Sequence, residues 1–170
     1  MTIDTATNAL MQSIENYPFT SFSKIIAHAL EPAILAIIGI LIATYLYLKV
    51  SKKKGVFFAV TIIITGILIK VLKEIFGRAR PLNALMPDSS FAMPSGHATI
   101  AVVFFGLIAF LFINKKHKVI ALIATTLIAL IVGFTRLYLR VHWLTDVVAG
   151  FALGTIILIT SIITYNKSKQ

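Results

Sequence analysis

An all-α, polytopic membrane bundle is the fold class this sequence predicts, with about five transmembrane helices and an N-terminal interfacial helix. Three observations carry that reading. The 170 residues are 58% hydrophobic with a mean hydropathy of +0.94, more apolar surface than a soluble domain of this length hides. Several apolar runs approach the ~20 residues a helix needs to cross the hydrocarbon core. Lysines and carboxylates alternate between successive loops, as charges sorted to opposite membrane faces do. The length suits a single domain, residues 1–170, with 1–30 as an interfacial segment and 31–165 as the transmembrane core.

Thr2 to Leu30 mixes polar and apolar residues. Leu10 and Ile14 are four apart, Pro18 interrupts, and Phe19, Phe22 and Ile26 resume a helical spacing. This predicts one or two short amphipathic segments lying at the membrane surface, with a poorly ordered terminus as the bland alternative. The opening residues, MTIDTATNAL, lack a basic stretch and an apolar core, so no cleaved signal peptide is expected. Pro32 to Val50 is the first span, Ser51 to Gly55 a basic hairpin, and Val56 to about Ile75 the second span. Phe76 to Met93 is a long polar loop. The third span starts near Gly96 and ends at Ile113, and Asn114 to Lys118 is a second basic hairpin. Val119 to about Leu139 is the fourth span, and a fifth runs from about Leu144 to Tyr165 after a short turn holding His142.

The formal charge of +10 points to anionic lipid rather than nucleic acid, because the cations lie beside apolar runs. Lys49, Lys52 to Lys54, Lys115, Lys116, Lys118, Lys167 and Lys169 fall on one side of the alternating spans. All six acids, Asp4, Glu15, Glu31, Glu74, Asp88 and Asp146, fall on the other. The positive-inside rule then places the lysine side in the cytoplasm and the acidic side outside a cell membrane. With no cysteine there is no disulfide, thiol chemistry or thiolate metal site.

Three polar clusters share the acidic face: Lys73, Arg80 and Pro81; Pro94, Ser95, Gly96 and His97; and Arg136, His142 and Asp146. Ionisable residues are costly near a bilayer and mark function by default. Ser95 and Gly96 open a helix, where free N–H groups and the helix dipole favour an anion. Alone, that cluster reads equally well as an ordinary capped helix start. His142 and Asp146 are four apart and share a face if the fifth helix begins near His142. A carboxylate on one ring nitrogen leaves the other free to attack or to take a proton. Arg136 offers a planar fork for phosphate oxygens. Arg140 and Trp143 read as interfacial anchors. Lys70 and Glu74 read as a pair, and His28 and His117 as non-catalytic. Lys73, Arg80 and Arg136 crowd positive charge at this face, which opposes a metal and welcomes an anion. No Walker loop and no HExxH is present. The residues alone leave open which histidine is the nucleophile; the carboxylate near His142 is the only local hint.

Lys73-x6-Arg80-Pro81, Pro94-Ser95-Gly96-His97 and Arg136-x5-His142-x3-Asp146 resemble, in order and spacing, the three signature motifs of the type 2 phosphatidic acid phosphatase family. Thr135 stands where that family usually has serine, and the chain looks like a five-span version of a fold that often has six. The resemblance implies a metal-independent lipid phosphatase that needs no cofactor. In it His142 attacks phosphorus, Asp146 orients His142, and His97 protonates the leaving oxygen and then activates water. Lys73, Arg80, Ser95, Gly96 and Arg136 hold the phosphate. The expected substrate is a lipid phosphate or diphosphate in the bilayer, undecaprenyl diphosphate before phosphatidylglycerophosphate, phosphatidic acid or a lipid A phosphate. A lipid phosphotransferase and a non-enzymatic anion transporter or binding protein are the alternatives.

Overall fold

A computed structural model describes residues 2–168; Lys169 and the side chain of Lys115, both assigned above to the basic face, lie outside the described residues. The described residues form helices without strands. α1 (Ile3–Ser13) starts at Thr2, whose Oγ1 accepts the Thr5 N–H. α2 (Tyr17–Ala29) starts at Asn16, whose Oδ1 accepts the Phe19 N–H, with Pro18 in the first turn. Ile3, Leu10, Tyr17 and Ile25 are exposed while Met11, Ser23 and Ala27 are buried. The N-terminal segment is therefore two amphipathic helices, each with one face against the bundle. Tyr138 holds their corner: its Oη accepts from the Asn16 N–H at 2.9 Å and donates to the Asn16 carbonyl at 3.1 Å.

α3 (Pro32–Tyr45) runs on through a π-type turn at Leu46–Val50, and α4 (Lys52–Phe76) reverses it. The expected basic hairpin is shorter than its sequence suggests. Lys52, Lys53 and Lys54 form the first turn of α4 and only Ser51 stands outside a helix, since lysine is a good helix former. α5 (Gly96–Phe112), α6 (Lys118–Tyr138) and α7 (Leu144–Lys167) complete the bundle, with a 3-10 turn at Lys115–His117 before α6. Among the described residues, four helical stretches have the length and composition to cross a membrane: Pro32–Val50, Lys52–Phe76, Lys118–Tyr138 and Leu144–Lys167. The expected third span, α5, has 17 residues and a length of ~25 Å, and is the central helix. Ala98, Ala101, Val103 and Leu107 are fully buried along it. Its N-cap Ser95 and first residue Gly96 are buried as well, Ser95 against the start of α7 and Gly96 facing Ile69 of α4 and Pro32 of α3.

α5 and α7 meet at close range. A Cβ at Gly150 would lie 2.7 Å from the Ser95 carbonyl oxygen, and one at Gly154 2.8 Å from that of Thr99. Only glycine allows this approach. The seam fixes the start of α5 against the start of α7, and the Ser95 N–H donates to the Asp146 carbonyl at 3.0 Å. At the far end Lys53 donates to the Ser168 carbonyl and lies over the Tyr165 ring. The charges thus sit at opposite ends of the bundle, lysines at one and motif residues at the other.

Candidate active site

Three chain reversals, between α4 and α5, α5 and α6, and α6 and α7, bring the motif residues to one end of the bundle. Lys73 comes from the last turn of α4, Arg80 from the loop, His97 from the first turn of α5, Arg136 from the last turn of α6, and His142 from the turn before α7. Lys73, Arg80, Gly96, His97, Arg136 and His142 line one cleft of about 720 Å³. Ser95 and Asp146 lie behind that lining, each 0% exposed.

His142 lies between Asp146 and Arg80. Its Nδ1 is 3.6 Å from Asp146 Oδ2, and its Nε2 is 3.3 Å from Arg80 Nη1. A guanidinium only donates, so Nε2 faces it with its lone pair and the ring proton belongs on Nδ1, toward the carboxylate. Burial pushes the imidazole down to about 4, with Arg80 and Lys73 adding to the shift and Asp146 opposing it. The pair does not share a helical face as the spacing predicts. α7 begins at Leu144, Trp143 is its N-cap, and Asp146 Oδ2 accepts the Trp143 N–H at 2.8 Å. Asp146 meets His142 as a capping residue turned back over the helix start.

His97 Nε2 lies between a donor and an acceptor, 3.4 Å from Arg136 Nη1 and 3.2 Å from the Ala27 carbonyl. The first partner calls for a lone pair and the second for a proton, so either protonation state finds a hydrogen bond. Arg136 is 3% exposed, and its Nη2 donates to Thr135 Oγ1 at 3.3 Å while Thr135 Oγ1 donates to the Val132 carbonyl. Threonine therefore keeps a hydroxyl beside the arginine. Ser95 occupies the N-cap of α5 without a side-chain cap, and its buried Oγ has no partner among the described residues.

The cations are already engaged by the loop. Arg80 Nη2 pairs with Asp88 Oδ2 at 2.6 Å and donates to Ser90 Oγ at 3.0 Å. Lys73 donates to the Phe91 carbonyl. Against its own burial, Asp88 is held below the usual carboxylate range by the Ser90 N–H and Arg80. His28 and Glu31, at the end of α2 and just after it, also line the cleft.

Two sequence expectations are corrected. Arg140 is not an interfacial anchor: it is 4% exposed and pairs at 2.8 Å with Glu15, in the turn between α1 and α2. Trp143, expected at the same interface, donates its indole N–H to the Ala79 carbonyl at 2.9 Å and is the N-cap of α7. Lys70 and Glu74 are both exposed, and no ion pair joins them among the described residues. Sequence reasoning missed Arg78, whose Nη1 donates to Asp146 Oδ1 at 2.7 Å. Its place two residues before Arg80 was the available signal.

A multi-pass helical membrane protein with two histidines, a buried carboxylate and three cations around one cleft is the class that fold and site define. The chain belongs to the PAP2 superfamily, whose model matches residues 54–170. It is 43% identical to phosphatidylglycerophosphatase B of Bacillus subtilis over 94 residues, 52% of this chain and 46% of that protein. It is 32% identical to an undecaprenyl-diphosphatase of Sulfolobus acidocaldarius over 127 residues, 71% of this chain and 59% of that protein. The chain thus spans about half the length of these relatives. Among solved structures, a transmembrane PAP2-type phosphatidylglycerolphosphate phosphatase from Bacillus subtilis superposes with a TM-score of 0.85 at 30% identity, covering 96% of this chain and 86% of that one. LpxE of Aquifex aeolicus shares the fold, with a TM-score of 0.75 at 22% identity over 95% of this chain and 96% of its own.

Proposed function

We propose that this protein hydrolyses the phosphate ester or anhydride of a membrane lipid through a phosphohistidine intermediate, without a metal. The observation that carries the reading is the one cleft that Lys73, Arg80 and Arg136 line together with His97 and His142, with Arg80 Nη1 3.3 Å from His142 Nε2. The three cations hold the equatorial oxygens, whose charge needs stabilising in the transition state. The Gly96 N–H at the start of α5 adds a donor at the cleft, and Ser95 Oγ, without a partner among the described residues, stands just behind it. His142 Nε2 attacks phosphorus, the bond to the lipid oxygen breaks, and His97 gives that oxygen its proton. Water then attacks the phosphohistidine, His97 takes the proton, and inorganic phosphate leaves. Asp146 stabilises the charge that builds on His142 during attack.

The lysine end of the bundle is taken as cytoplasmic, so the cleft faces the outer leaflet of the cell membrane. Undecaprenyl diphosphate suits an outward site and is the favoured substrate. Phosphatidylglycerophosphate is the second, supported by the 43% identity to a relative of that name. Release of inorganic phosphate from a panel of lipid phosphates, in detergent with EDTA, tests the reading. Release is expected with at least one of these lipids and undiminished by chelator. No release from any of them, or loss in EDTA restored by a divalent cation, would overturn it. Transfer of the phosphoryl group to a second lipid without free phosphate would make the protein a phosphotransferase.

A further inference from the structure

We infer that Arg78 and Asp4 form a clasp that positions the carboxylate of Asp146, so that helix α1 is part of the catalytic apparatus. The inference rests on the phosphohistidine reading above. Asp146 is 0% exposed, and a buried carboxylate needs both a countercharge and a set orientation. Arg78 supplies both. Its Nη1 donates to Asp146 Oδ1 at 2.7 Å while the Trp143 N–H holds Oδ2 at 2.8 Å. The carboxylate is thereby pinned at both oxygens, with Oδ2 turned to His142 Nδ1.

The other arm of the guanidinium reaches away from the site. Arg78 Nη2 pairs with Asp4 Oδ2 at 2.6 Å. Asp4 Oδ1 accepts the Thr145 N–H at 2.9 Å, and Thr145 Oγ1 donates to Asp4 Oδ2 at 2.7 Å while accepting from Arg78 Nη1 at 2.6 Å. The Arg78 guanidinium also lies over the Trp143 ring, 5.7 Å from its centroid. Asp4, Arg78 and Thr145 thus close a ring of hydrogen bonds at the first turn of α7, and Arg78 ties that ring to Asp146. Although burial opposes ionisation of Asp4, Arg78 and Thr145 hold its carboxyl below the usual range, and Asp4 and Asp146 hold Arg78 above its own. A planar fork bridges two carboxylates in fixed directions, which a lysine ammonium does not. Without Asp4, the partly exposed Arg78 loses its second anchor and Asp146 its fixed orientation. Neither Asp4 nor Arg78 touches the phosphate; both act through Asp146.

The test compares Arg78→Ala, Arg78→Lys and Asp4→Asn with Glu15→Gln, which breaks the ion pair between the α1–α2 turn and Arg140 without touching Asp146. Steady-state kinetics on a lipid phosphate should show kcat lowered about 10- to 100-fold in Arg78→Ala, as for other groups that orient a catalytic side chain. Losses should be smaller in Arg78→Lys and Asp4→Asn, with KM little changed throughout and Glu15→Gln like the parent. Nitrogen NMR of the His142 ring, which needs no turnover, should show the proton on Nδ1 in the parent and in Glu15→Gln, and a mixture of tautomers in the clasp variants. Parental kcat and tautomer in Asp4→Asn and Arg78→Lys would overturn the clasp, as would equal losses in Glu15→Gln and Asp4→Asn. If Arg78→Ala fails to fold, these two milder variants decide. If the parent releases no phosphate from any lipid, the functional reading fails and the ring spectra still decide the clasp.

Discussion

At His142 the two ring nitrogens have separate duties, Nδ1 toward Asp146 and Nε2 toward the cleft. His142→Ala removes the nucleophile and little packing, so turnover should fall by several orders of magnitude, as when other nucleophiles are removed. Near-parental activity in the purified variant would refute the covalent mechanism. His97→Ala should slow the reaction by ~10² to ~10⁴. The loss should be smaller with a nitrophenyl ester, whose leaving oxygen needs no proton, and equal losses on alkyl and nitrophenyl phosphates would remove His97 from the role of acid. The His142 ring should titrate by NMR near 4 rather than at its ordinary 6.5, because burial disfavours its charged form. The sign for stability follows. As pH falls from 6.5 toward 4, unfolded chains bind a proton that folded His142 does not, so this contribution to stability is lost through that window. A midpoint at or above 6.5 would mean that water reaches the ring. The three cation and histidine clusters were legible in sequence because each is local and flanked by apolar runs. Asp4 and Arg140 were not. Their partners lie on distant segments, and nothing in an amphipathic stretch marks one acid as bound for Arg78.

Among the elements, α5 and α7 are held by glycine and α4 borders the cleft. Gly150→Ala would place a Cβ 2.7 Å from the Ser95 carbonyl oxygen. Overpacking of that kind costs about 1–3 kcal/mol, so the melting temperature should fall, and activity should fall with it because Ser95 starts the helix carrying His97. An unchanged melting temperature would show that the seam has slack. Gly66 is different: it lines the cleft and has nothing within 4 Å of an added Cβ. Gly66→Phe should leave the fold intact and raise KM for a long-tailed lipid phosphate but not for nitrophenyl phosphate. A matching rise for both would place the tail elsewhere. Spans were readable from apolar length alone. Helix starts were less so, because the lysines of Lys52–Lys54 look like a loop by charge yet have the intrinsic preference to begin α4.

For the whole molecule, charge sorting makes a statement about orientation. Cysteine is absent from the native sequence, so single cysteines give a clean readout. One at Lys53 should resist an impermeant thiol reagent in intact cells. One at Leu82, a fully exposed loop position, should react. The reverse pattern would invert the orientation, require a substrate in the cytoplasmic leaflet, and remove the reason for preferring undecaprenyl diphosphate. The overall class was legible because hydropathy and loop charge are properties of the whole chain. The seating of α1 over the site was not, because it depends on a few long-range polar contacts such as Asp4 with Arg78 and Asn8 with Asn83.

The glycine seam between α5 and α7 has one more effect. It gives the cleft a hard jaw and a soft one. His97 and Asp146 sit on helices whose backbones already touch, and neither can shift without the other. Lys73 and Gly66 sit on α4, across the opening, beside an α3 that ends in a π turn. A lipid tail of any length that wedges the cleft apart is expected to displace the α3–α4 side. His97 and Asp146 are then expected to keep their spacing, while Lys73 moves with α4 and its proposed hold on the phosphate loosens as girth increases.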